Sequence, residues 1–260
     1  MPKLAANLSF LFQELPFLDR FAAAAEAGFR GVEFLFPYDT PAPEIAERLE
    51  CCGLTQALFN LPPGNWAAGE RGLGALPGRE ADFLAGVRQA LGYALATRCT
   101  RLHAVAGLWP ANEPRSAGEE VFVANLRRAA DLVAPHGITL LIEPINPRDI
   151  PGYFVNTTAQ ALAIIDRVER ANVKLQLDLY HCQIMEGDLA IHIRELAGRY
   201  AHIQIAGVPE RHEPDRGEIN YPYLFDLLDG IGYDGWVGCE YRPLAGTRAG
   251  LGWARRWGVG

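Results

Sequence analysis

The stretch that most directly indicates the fold occurs twice, as Ala27-Gly28-Phe29-Arg30-Gly31-Val32-Glu33-Phe34 and, near the carboxyl end, as Gly232-Tyr233-Asp234-Gly235-Trp236-Val237-Gly238-Cys239-Glu240. Each copy places a glycine, an aromatic residue and a second glycine ahead of a short apolar run. Such a glycine is typical of a helix end, and an apolar run bounded by glycines is typical of a buried strand. The repeat therefore indicates a helix-turn-strand unit of the kind that builds a closed (β/α)8 barrel.

The same alternation of strand-like runs and longer amphipathic segments continues along the chain. We predict strands over residues 4–9, 31–36, 54–61, 101–106, 138–143, 173–178, 201–205 and 235–240. We predict helices over residues 17–27, 42–52, 78–97, 122–136, 157–170, 188–198, 221–231 and 247–257. Because no linker-like or low-complexity stretch interrupts this alternation, it indicates a single (β/α)8 TIM barrel over residues 1–260. An open doubly wound sheet is the alternative, which the lack of a G-x-G-x-x-G motif after the first strand disfavours.

The composition predicts a large core and an acidic surface. Hydrophobic residues make up 49% of the 260 residues, which is enough to form a core without disulfide bonds. Asp and Glu number 31 and Lys and Arg number 24, so the formal net charge is −7. Proteins that bind nucleic acids usually carry a basic patch, and the acidic balance therefore argues against a nucleic-acid partner.

The cysteines and the apolar segments bear on the compartment. The five cysteines are odd in number and include no C-x-x-C pair, which disfavours a disulfide framework and a four-thiolate zinc site. The chain contains neither a signal-peptide core nor an apolar run of about 18 residues. We therefore expect a cytoplasmic protein with no membrane partner.

Four polar side chains lie at the ends of four consecutive predicted strands. They are Glu143, Asp178, Gln204 and Glu240, on strands five to eight. The carboxyl ends of barrel strands surround one mouth, so these side chains should converge there. Three carboxylates at one point repel one another unless a cation neutralises them, and oxygen ligands suit a hard divalent ion such as Mg²⁺ or Mn²⁺. Taken singly, each is equally well explained as a strand-end group that faces solvent or pairs with an arginine.

Six short segments form motifs that are specific to one enzyme family. They are Phe59-Asn60-Leu61-Pro62-Pro63-Gly64-Asn65-Trp66-Ala67-Ala68-Gly69-Glu70-Arg71-Gly72, Ile142-Glu143-Pro144-Ile145-Asn146, Leu177-Asp178-Leu179-Tyr180-His181, His202-Ile203-Gln204-Ile205-Ala206, Arg211-His212-Glu213-Pro214 and Gly217-Glu218-Ile219-Asn220-Tyr221. With them the chain resembles, over essentially its whole length, the hydroxypyruvate isomerases of the divalent-metal sugar isomerase and epimerase barrels.

This resemblance implies a ligand set and a reaction. It implies that Glu143 and Glu240 bind the metal and also act as acid and base, and that Asp178 and Gln204 complete the ligand set. The expected substrate-binding residues are His181, Arg71, Glu70 and Asn146. The implied activity is the reversible isomerisation of hydroxypyruvate to tartronate semialdehyde through an enediolate, with a small sugar acid as the partner.

The loop after the third predicted strand has the composition of a lid. Residues 62–77 are rich in glycine and include Trp66 and Arg71. Long glycine-rich loops at a barrel mouth often close over a small substrate. The planar guanidinium of Arg71 would suit a substrate carboxylate, although an ordinary salt bridge within the loop explains it nearly as well.

Two positions depart from the sugar epimerases of the superfamily, many of which have His in place of Gln204 and Arg in place of Glu210. These departures favour the small-substrate isomerases. The alternatives that stay open are an isomerase of four-carbon 2-oxo acid sugars (2-oxo-tetronate), a ketose 3-epimerase on the same site, and a non-catalytic sugar-acid-binding protein. An abasic-site endonuclease is disfavoured, because such enzymes gather several zinc-binding histidines and few of the six histidines here lie near strand ends.

Cys182, Glu33 and two tryptophans near the carboxyl end are further features of the sequence. Cys182 follows His181, and because no helix start is evident that would activate its thiol, we interpret it as a packing residue. Glu33 ends an apolar run and could reach the barrel mouth, but no role is assigned to it. Aromatic residues near Trp253 and Trp257, if exposed, could form an interface, so a homo-oligomer is an open expectation.

Overall fold

The strands close into a barrel in chain order. The computed structural model describes residues 1–260, and its strands are β1 (Lys3–Asn7), β2 (Gly31–Phe34), β3 (Thr55–Asn60), β4 (Arg101–His103), β5 (Thr139–Ile142), β6 (Val173–Asp178), β7 (Tyr200–Ile205) and β8 (Trp236–Cys239). Each strand pairs in parallel with the next, and β8 pairs with β1. The predicted (β/α)8 barrel is therefore confirmed, and the open-sheet alternative is wrong because neither β1 nor β8 is an edge.

Helices alternate with the strands. They are α1 (Arg20–Glu26), α2 (Ala42–Cys52), α3 (Glu80–Thr97), α4 (Arg115–Val133), α5 (Thr158–Val168), α6 (Leu179–Met185), α7 (Leu189–Glu195), α8 (Tyr221–Gly230) and α9 (Thr247–Gly250). Short 3₁₀ segments cover Phe17–Asp19, Trp66–Ala68, Ala134–His136 and Leu251–Trp257. The prediction for α2 is correct at both ends, because Pro43 lies in its first turn and Gly53 ends it in the left-handed conformation, with φ of 62°. None of the helices combines the length and the apolar character needed to cross a membrane.

Helix α4 begins at Arg115, earlier than the predicted residue 122. The residues before 122 include Gly118, which lowers helix propensity and favours a loop prediction. In the structure a Cβ at Gly118 would lie 2.7 Å from the rings of both Phe154 and Trp109. The glycine thus lets the first turns of α4 approach these rings closely, and this packing outweighs local propensity.

Helix α6 lies between the predicted strand over residues 173–178 and the predicted helix over residues 188–198, where no helix was predicted. Asp178 ends β6, and its side chain accepts a hydrogen bond from the backbone N–H of Tyr180 at 2.8 Å. The same residue therefore ends the strand and caps the helix. His181 and Cys182 lie in the first turns of α6. Burial raises the pKa of the Cys182 thiol, which agrees with its interpretation as a packing residue.

The cysteines and the carboxyl-terminal tryptophans are accounted for by packing. All five cysteines are free, as expected. Trp253 and Trp257 are half-buried rather than exposed, and their ring centroids lie 6.5 and 4.8 Å from that of Phe225. Trp253 also donates through Nε1 to the hydroxyl of Tyr241 at 3.2 Å. A homo-oligomer stays a prediction.

The barrel interior is unusually polar where it approaches the carboxyl ends of the strands. A continuous cluster of 68 buried hydrophobic residues forms the core. Barrel interiors are usually filled by branched apolar side chains. Here the buried residues on the strands also include Asn7, Glu33, His103, Gln176, His202 and Gln204. Except for His103, which has no hydrogen-bond partner, these side chains form hydrogen bonds that connect the strands to the predicted site.

Candidate active site

A cavity of about 250 Å³ opens at the carboxyl ends of the strands. Glu143, which follows β5, and Glu240, which follows β8, both line it. Its apolar and aromatic lining consists of Phe10, Leu35, Phe36, Trp66, Val105, Ile145 and Ile150. The two glutamates predicted to act as acid and base therefore share one cavity.

Glu143, Asp178 and His181 come together on one side of the site. Their potential ligand atoms lie within 4.8 Å of one another. His181 Nε2 is 3.8 Å from Glu143 Oε1 and 3.6 Å from Asp178 Oδ2. Both of these carboxylate oxygens are buried and accept no hydrogen bond. Asp178 Oδ2 also lies 3.7 Å from Arg211 Nη2. Buried oxygens that accept no hydrogen bond at this spacing fit a divalent cation that prefers oxygen ligands.

Glu240 and Gln204 lie in the same site, but their polar atoms have protein partners. Glu240 Oε2 accepts from Gln204 Nε2 at 2.6 Å and from Asn7 Nδ2 at 2.8 Å. Gln204 Oε1 accepts from Gln176 Nε2 at 2.6 Å. In this orientation Gln204 presents an N–H group, not an oxygen, to Glu240. Its predicted role as a metal ligand requires the amide to rotate and stays a prediction.

Burial and mutual repulsion raise the proton affinity of the three carboxyl groups. Burial, followed by the charges of Glu240 and Asp178, raises the pKa of Glu143 well above its ordinary value. Burial raises the pKa of Glu240 to about 8 and that of Asp178 to about 6, although the charge of Arg211 opposes both shifts. One guanidinium does not neutralise three carboxylates, so the site favours bound protons or an added cation.

Asn146 determines the tautomer of His181. The backbone N–H of Asp149 donates to Asn146 Oδ1 at 2.9 Å, so Asn146 Nδ2 faces His181 Nδ1, 2.6 Å away. Nδ1 therefore accepts, and Nε2 carries the hydrogen on the side of the cavity. Burial, with the charges of Arg211 and His103, lowers the pKa of His181 well below its ordinary value. The imidazole is thus a neutral hydrogen-bond donor.

Arg211 is a site residue that the sequence analysis did not select. Its guanidinium donates to Glu240 Oε1 at 2.5 Å and to Asp149 Oδ2 at 2.8 Å. Its Cζ lies 5.0 Å from the ring centroid of Phe10 and 4.8 Å from that of Tyr180. Carboxylates and aromatic faces together hold the guanidinium in a nearly fully buried position.

A second residue that was not selected is His103, at the end of β4. Its Nδ1 lies 3.5 Å from Glu143 Oε2, and burial lowers the pKa of His103 to about 3, so this contact is not an ion pair. The sequence carried a signal for Arg211, which begins the segment Arg211-His212-Glu213-Pro214 on which the family resemblance rests. It carried none for His103, which lies between Leu102 and Ala104 and does not end an apolar run.

The loop after β3 contributes Trp66 and Arg71 to the cavity. The Arg71 guanidinium stacks on Trp66, with Cζ 3.8 Å from the ring centroid, and Nη1 donates to the carbonyl oxygens of Trp66 and Glu70 at 3.1 and 2.8 Å. Glu70 does not line the cavity. Its carboxylate accepts from the backbone N–H of Asn65 and pairs with Arg79, which stabilises the loop. Direct contact between Glu70 and a substrate stays a prediction.

Comparison with known proteins gives whole-length matches. A family model described as the xylose isomerase-like TIM barrel matches residues 21–257. The chain is 59% identical over 256 residues to a 2-oxo-tetronate isomerase of Cupriavidus necator, with 98% of each chain covered. It is 48% identical over 253 residues to a hydroxypyruvate isomerase of Escherichia coli, with 97% of this chain and 98% of the relative covered.

Solved structures share the fold. A crystal structure from Brucella melitensis, described as an AP endonuclease of family 2, is 56% identical, covers 99% of both chains and has a TM-score of 0.97. A D-psicose 3-epimerase from Clostridium cellulolyticum has a TM-score of 0.78 at 20% identity, over 92% of this chain and 85% of that one, which shows a common fold alone. Since the family model spans nearly the whole barrel and the curated relatives align end to end, the chain belongs to the xylose isomerase-like TIM barrel family.

Proposed function

We propose that this chain is an isomerase of 3-hydroxy-2-oxo acids, which moves the carbonyl group from C2 to C3. Hydroxypyruvate, with tartronate semialdehyde as its product, is the three-carbon candidate, and 2-oxo-tetronate is the four-carbon candidate. The names of the relatives from C. necator and E. coli support both. The observation that carries the proposal is that Glu143 and Glu240, two buried carboxyl groups with raised pKa values, line one cavity.

The carbonyl shift requires one proton to leave C3 and another to reach C2, through an enediolate. A side chain that both accepts and returns a proton works best with a pKa of about 7. Burial raises the pKa of Glu240 to about 8, and Glu143 shares the same desolvated surroundings. We infer that these two residues are the base and the acid, each contributing ~10²- to 10⁴-fold to the rate.

The neutral imidazole of His181 supports the same reaction. Its Nε2–H lies on the cavity side, because Asn146 occupies Nδ1. A hydrogen bond from a neutral donor to a substrate oxygen stabilises the negative charge that develops there. His181 would thus hold the oxygen whose charge increases as the enediolate forms.

The donor set supports a divalent cation, Mg²⁺ or Mn²⁺, which when bound polarises the carbonyl and hydroxyl oxygens of the substrate. Glu143 Oε1 and Asp178 Oδ2, which accept no hydrogen bond, would hold it. Gln204 would join by rotating its amide, and Glu240 by exchanging its hydrogen bond with Arg211. Without the cation, hydrogen bonds with Gln176, Arg211 and each other hold Gln204 and Glu240 in the site.

Arg71 is the proposed receptor for the substrate carboxylate. Its Nη1 and the stacked Trp66 ring hold the guanidinium plane, while Nε and Nη2 have no protein partner. A planar guanidinium binds a carboxylate through two parallel hydrogen bonds. Such a pair of hydrogen bonds would favour a substrate that carries a carboxylate over a neutral ketose.

The test is proton NMR of hydroxypyruvate and of 2-oxo-tetronate in D₂O, with metal-stripped protein before and after addition of Mg²⁺. We expect a metal-dependent isomer with deuterium at carbon. Epimerisation of ketoses with both acids unchanged would favour the 3-epimerase. Binding of the acids with no turnover in Mg²⁺ or Mn²⁺ would favour the non-catalytic binding protein, and either result would overturn the proposal.

A further inference from the structure

We propose that Glu33, on β2, is a positioning residue that sets the orientation of Glu240 through Asn7 and Gln204; this rests on the proposed function of that site. Glu33 is 0% exposed and does not line the cavity. It therefore has no access to a substrate. Any influence of Glu33 on the reaction must pass through the side chains to which it is hydrogen-bonded.

Two amide side chains bridge Glu33 and Glu240. Asn7 Nδ2 donates to Glu33 Oε1 at 3.0 Å and to Glu240 Oε2 at 2.8 Å. Gln204 Nε2 donates to the same two oxygens at 2.8 and 2.6 Å. Each of the two carboxylate oxygens thus accepts from both amides. A displacement of Glu33 would move both of the donors that hold Glu240 Oε2.

Neighbouring groups determine which end of each amide faces the carboxylates. The backbone N–H of Ser9 donates to Asn7 Oδ1 at 3.0 Å, and Gln176 Nε2 donates to Gln204 Oε1 at 2.6 Å. Because both amide oxygens are occupied, both amide NH₂ groups point toward Glu33. A carboxylate accepts from both of them, whereas a neutral amide at position 33 would bring a competing donor.

The barrel leaves space for this carboxylate. A Cβ at Gly238 would lie 2.3 Å from each oxygen of Glu33, so a side chain on β8 would displace it. Its third partner is His202 Nε2, 2.6 Å from Oε2, and no lysine or arginine contacts it. A buried carboxylate is costly unless hydrogen bonds compensate, and barrel interiors usually hold apolar residues instead. We therefore assign the carboxylate at position 33 to orienting its partners.

Two variants separate position from charge. Glu33→Gln keeps the side-chain length and removes the charge, whereas Glu33→Asp keeps the charge and withdraws the carboxylate by one methylene. We expect both to lower kcat about 10- to 100-fold with little change in KM, and to weaken binding of Mn²⁺ about tenfold or more, as for other groups that orient metal ligands. Glu44→Gln, an exposed glutamate on α2, is the matched control.

Mn²⁺ binding, measured by titration calorimetry on metal-stripped protein, needs no substrate. This measurement therefore tests the role of Glu33 even if the wild-type protein converts neither acid. Absence of turnover in the wild type would count against the proposed function and not against the role of Glu33. Unchanged Mn²⁺ affinity in both variants overturns the proposal. The proposal is also overturned if Glu33→Asp binds Mn²⁺ as the wild type does while Glu33→Gln binds it more weakly, because the charge at position 33 would then explain the effect without its position.

Thermal unfolding in EDTA identifies variants that do not fold. If neither Glu33 variant folds, Asn7→Ala is the alternative, because it removes one of the two amides that bridge Glu33 and Glu240 and leaves Glu33 intact. It should weaken Mn²⁺ binding and lower kcat in the same direction. A folded Asn7→Ala protein with wild-type values for both would overturn the proposal.

Discussion

Asn146 Nδ2 lies 2.6 Å from His181 Nδ1, and this contact decides which imidazole nitrogen carries the hydrogen. Asn146 can only donate here, because its Oδ1 accepts from the backbone N–H of Asp149. The contact links a residue after β5 to the first turn of α6. It leaves a neutral N–H donor at the position where a substrate oxygen would bind.

The first prediction concerns this tautomer. In Asn146→Asp the carboxylate can only accept, so the hydrogen should move to Nδ1 of His181 and Nε2 should lose its donor role. We expect kcat to fall about 10- to 100-fold, as for other changes to orienting partners. Nitrogen-15 NMR of the histidines reports the tautomer directly. Asn112→Asp, at an exposed position, is the control, and equal rates in the two variants would contradict the prediction.

The second prediction concerns the two glutamates that face the cavity. Glu143→Gln and Glu240→Gln each keep the side-chain size and remove the group that exchanges a proton. We expect each to lower kcat by ~10²- to 10⁴-fold, the usual contribution of an acid or base. Near-normal turnover in either variant, measured with folded protein and saturating Mg²⁺, would exclude the two-base scheme.

The third prediction is a loss of stability with rising pH in the metal-free protein. The pKa of Asp178 is raised from 3.8 to about 6, and that of Glu240 from 4.5 to about 8. A carboxyl group with a raised pKa binds more protons in the folded state. The stabilisation from this proton binding is complete at pH values below the ordinary pKa, and it is lost as pH rises through the pKa of the folded state. Buried His103 and His181, whose pKa values are lowered from 6.5, oppose this trend at lower pH, because their unfolded forms bind more protons there. In EDTA, Tm should therefore fall between about pH 6.5 and pH 8, where Glu240 titrates in the folded state.

Two comparisons check the origin of this pH dependence. Glu240→Gln removes one of the titrating groups and should make the fall in Tm shallower. Mn²⁺ should oppose the fall, because the deprotonated carboxylates bind it. A Tm of the metal-free protein that rises over the same interval would contradict the raised pKa values.

The fourth prediction tests substrate recognition by the loop after β3. Arg71→Ala should raise KM for a 2-oxo acid about tenfold or more, since a charge-assisted hydrogen bond contributes about 1.5–3 kcal/mol. Arg71→Lys should restore little, because it lacks the planar fork that stacks on Trp66. Arg88→Ala, at an exposed position on α3, is the control. An unchanged KM in Arg71→Ala would place carboxylate recognition elsewhere.

Much of the fold could be predicted because its signals are local. The apolar runs of β5 to β8 and the glycine that ends α2 are visible in short windows of sequence, and the carboxylates that follow β5 and β8 can be read from the same windows. Helix α6 could not be predicted in this way. It has seven residues, begins at a strand end, and is capped by one hydrogen bond that the Asp178 side chain accepts from the backbone N–H of Tyr180.

The sequence by itself determined the barrel and the set of oxygen-bearing residues at its mouth, because periodicity and strand ends are properties of neighbouring residues. Only the tertiary structure decided how those residues are oriented. Asn7 and Glu240 are 233 positions apart, yet they share a hydrogen bond, and Gln204 contacts Glu33 across 171 positions. Amide orientation, histidine tautomer and carboxyl proton affinity depend on such distant partners and on burial. No local pattern encodes them, because they exist only once the strands have closed into a barrel.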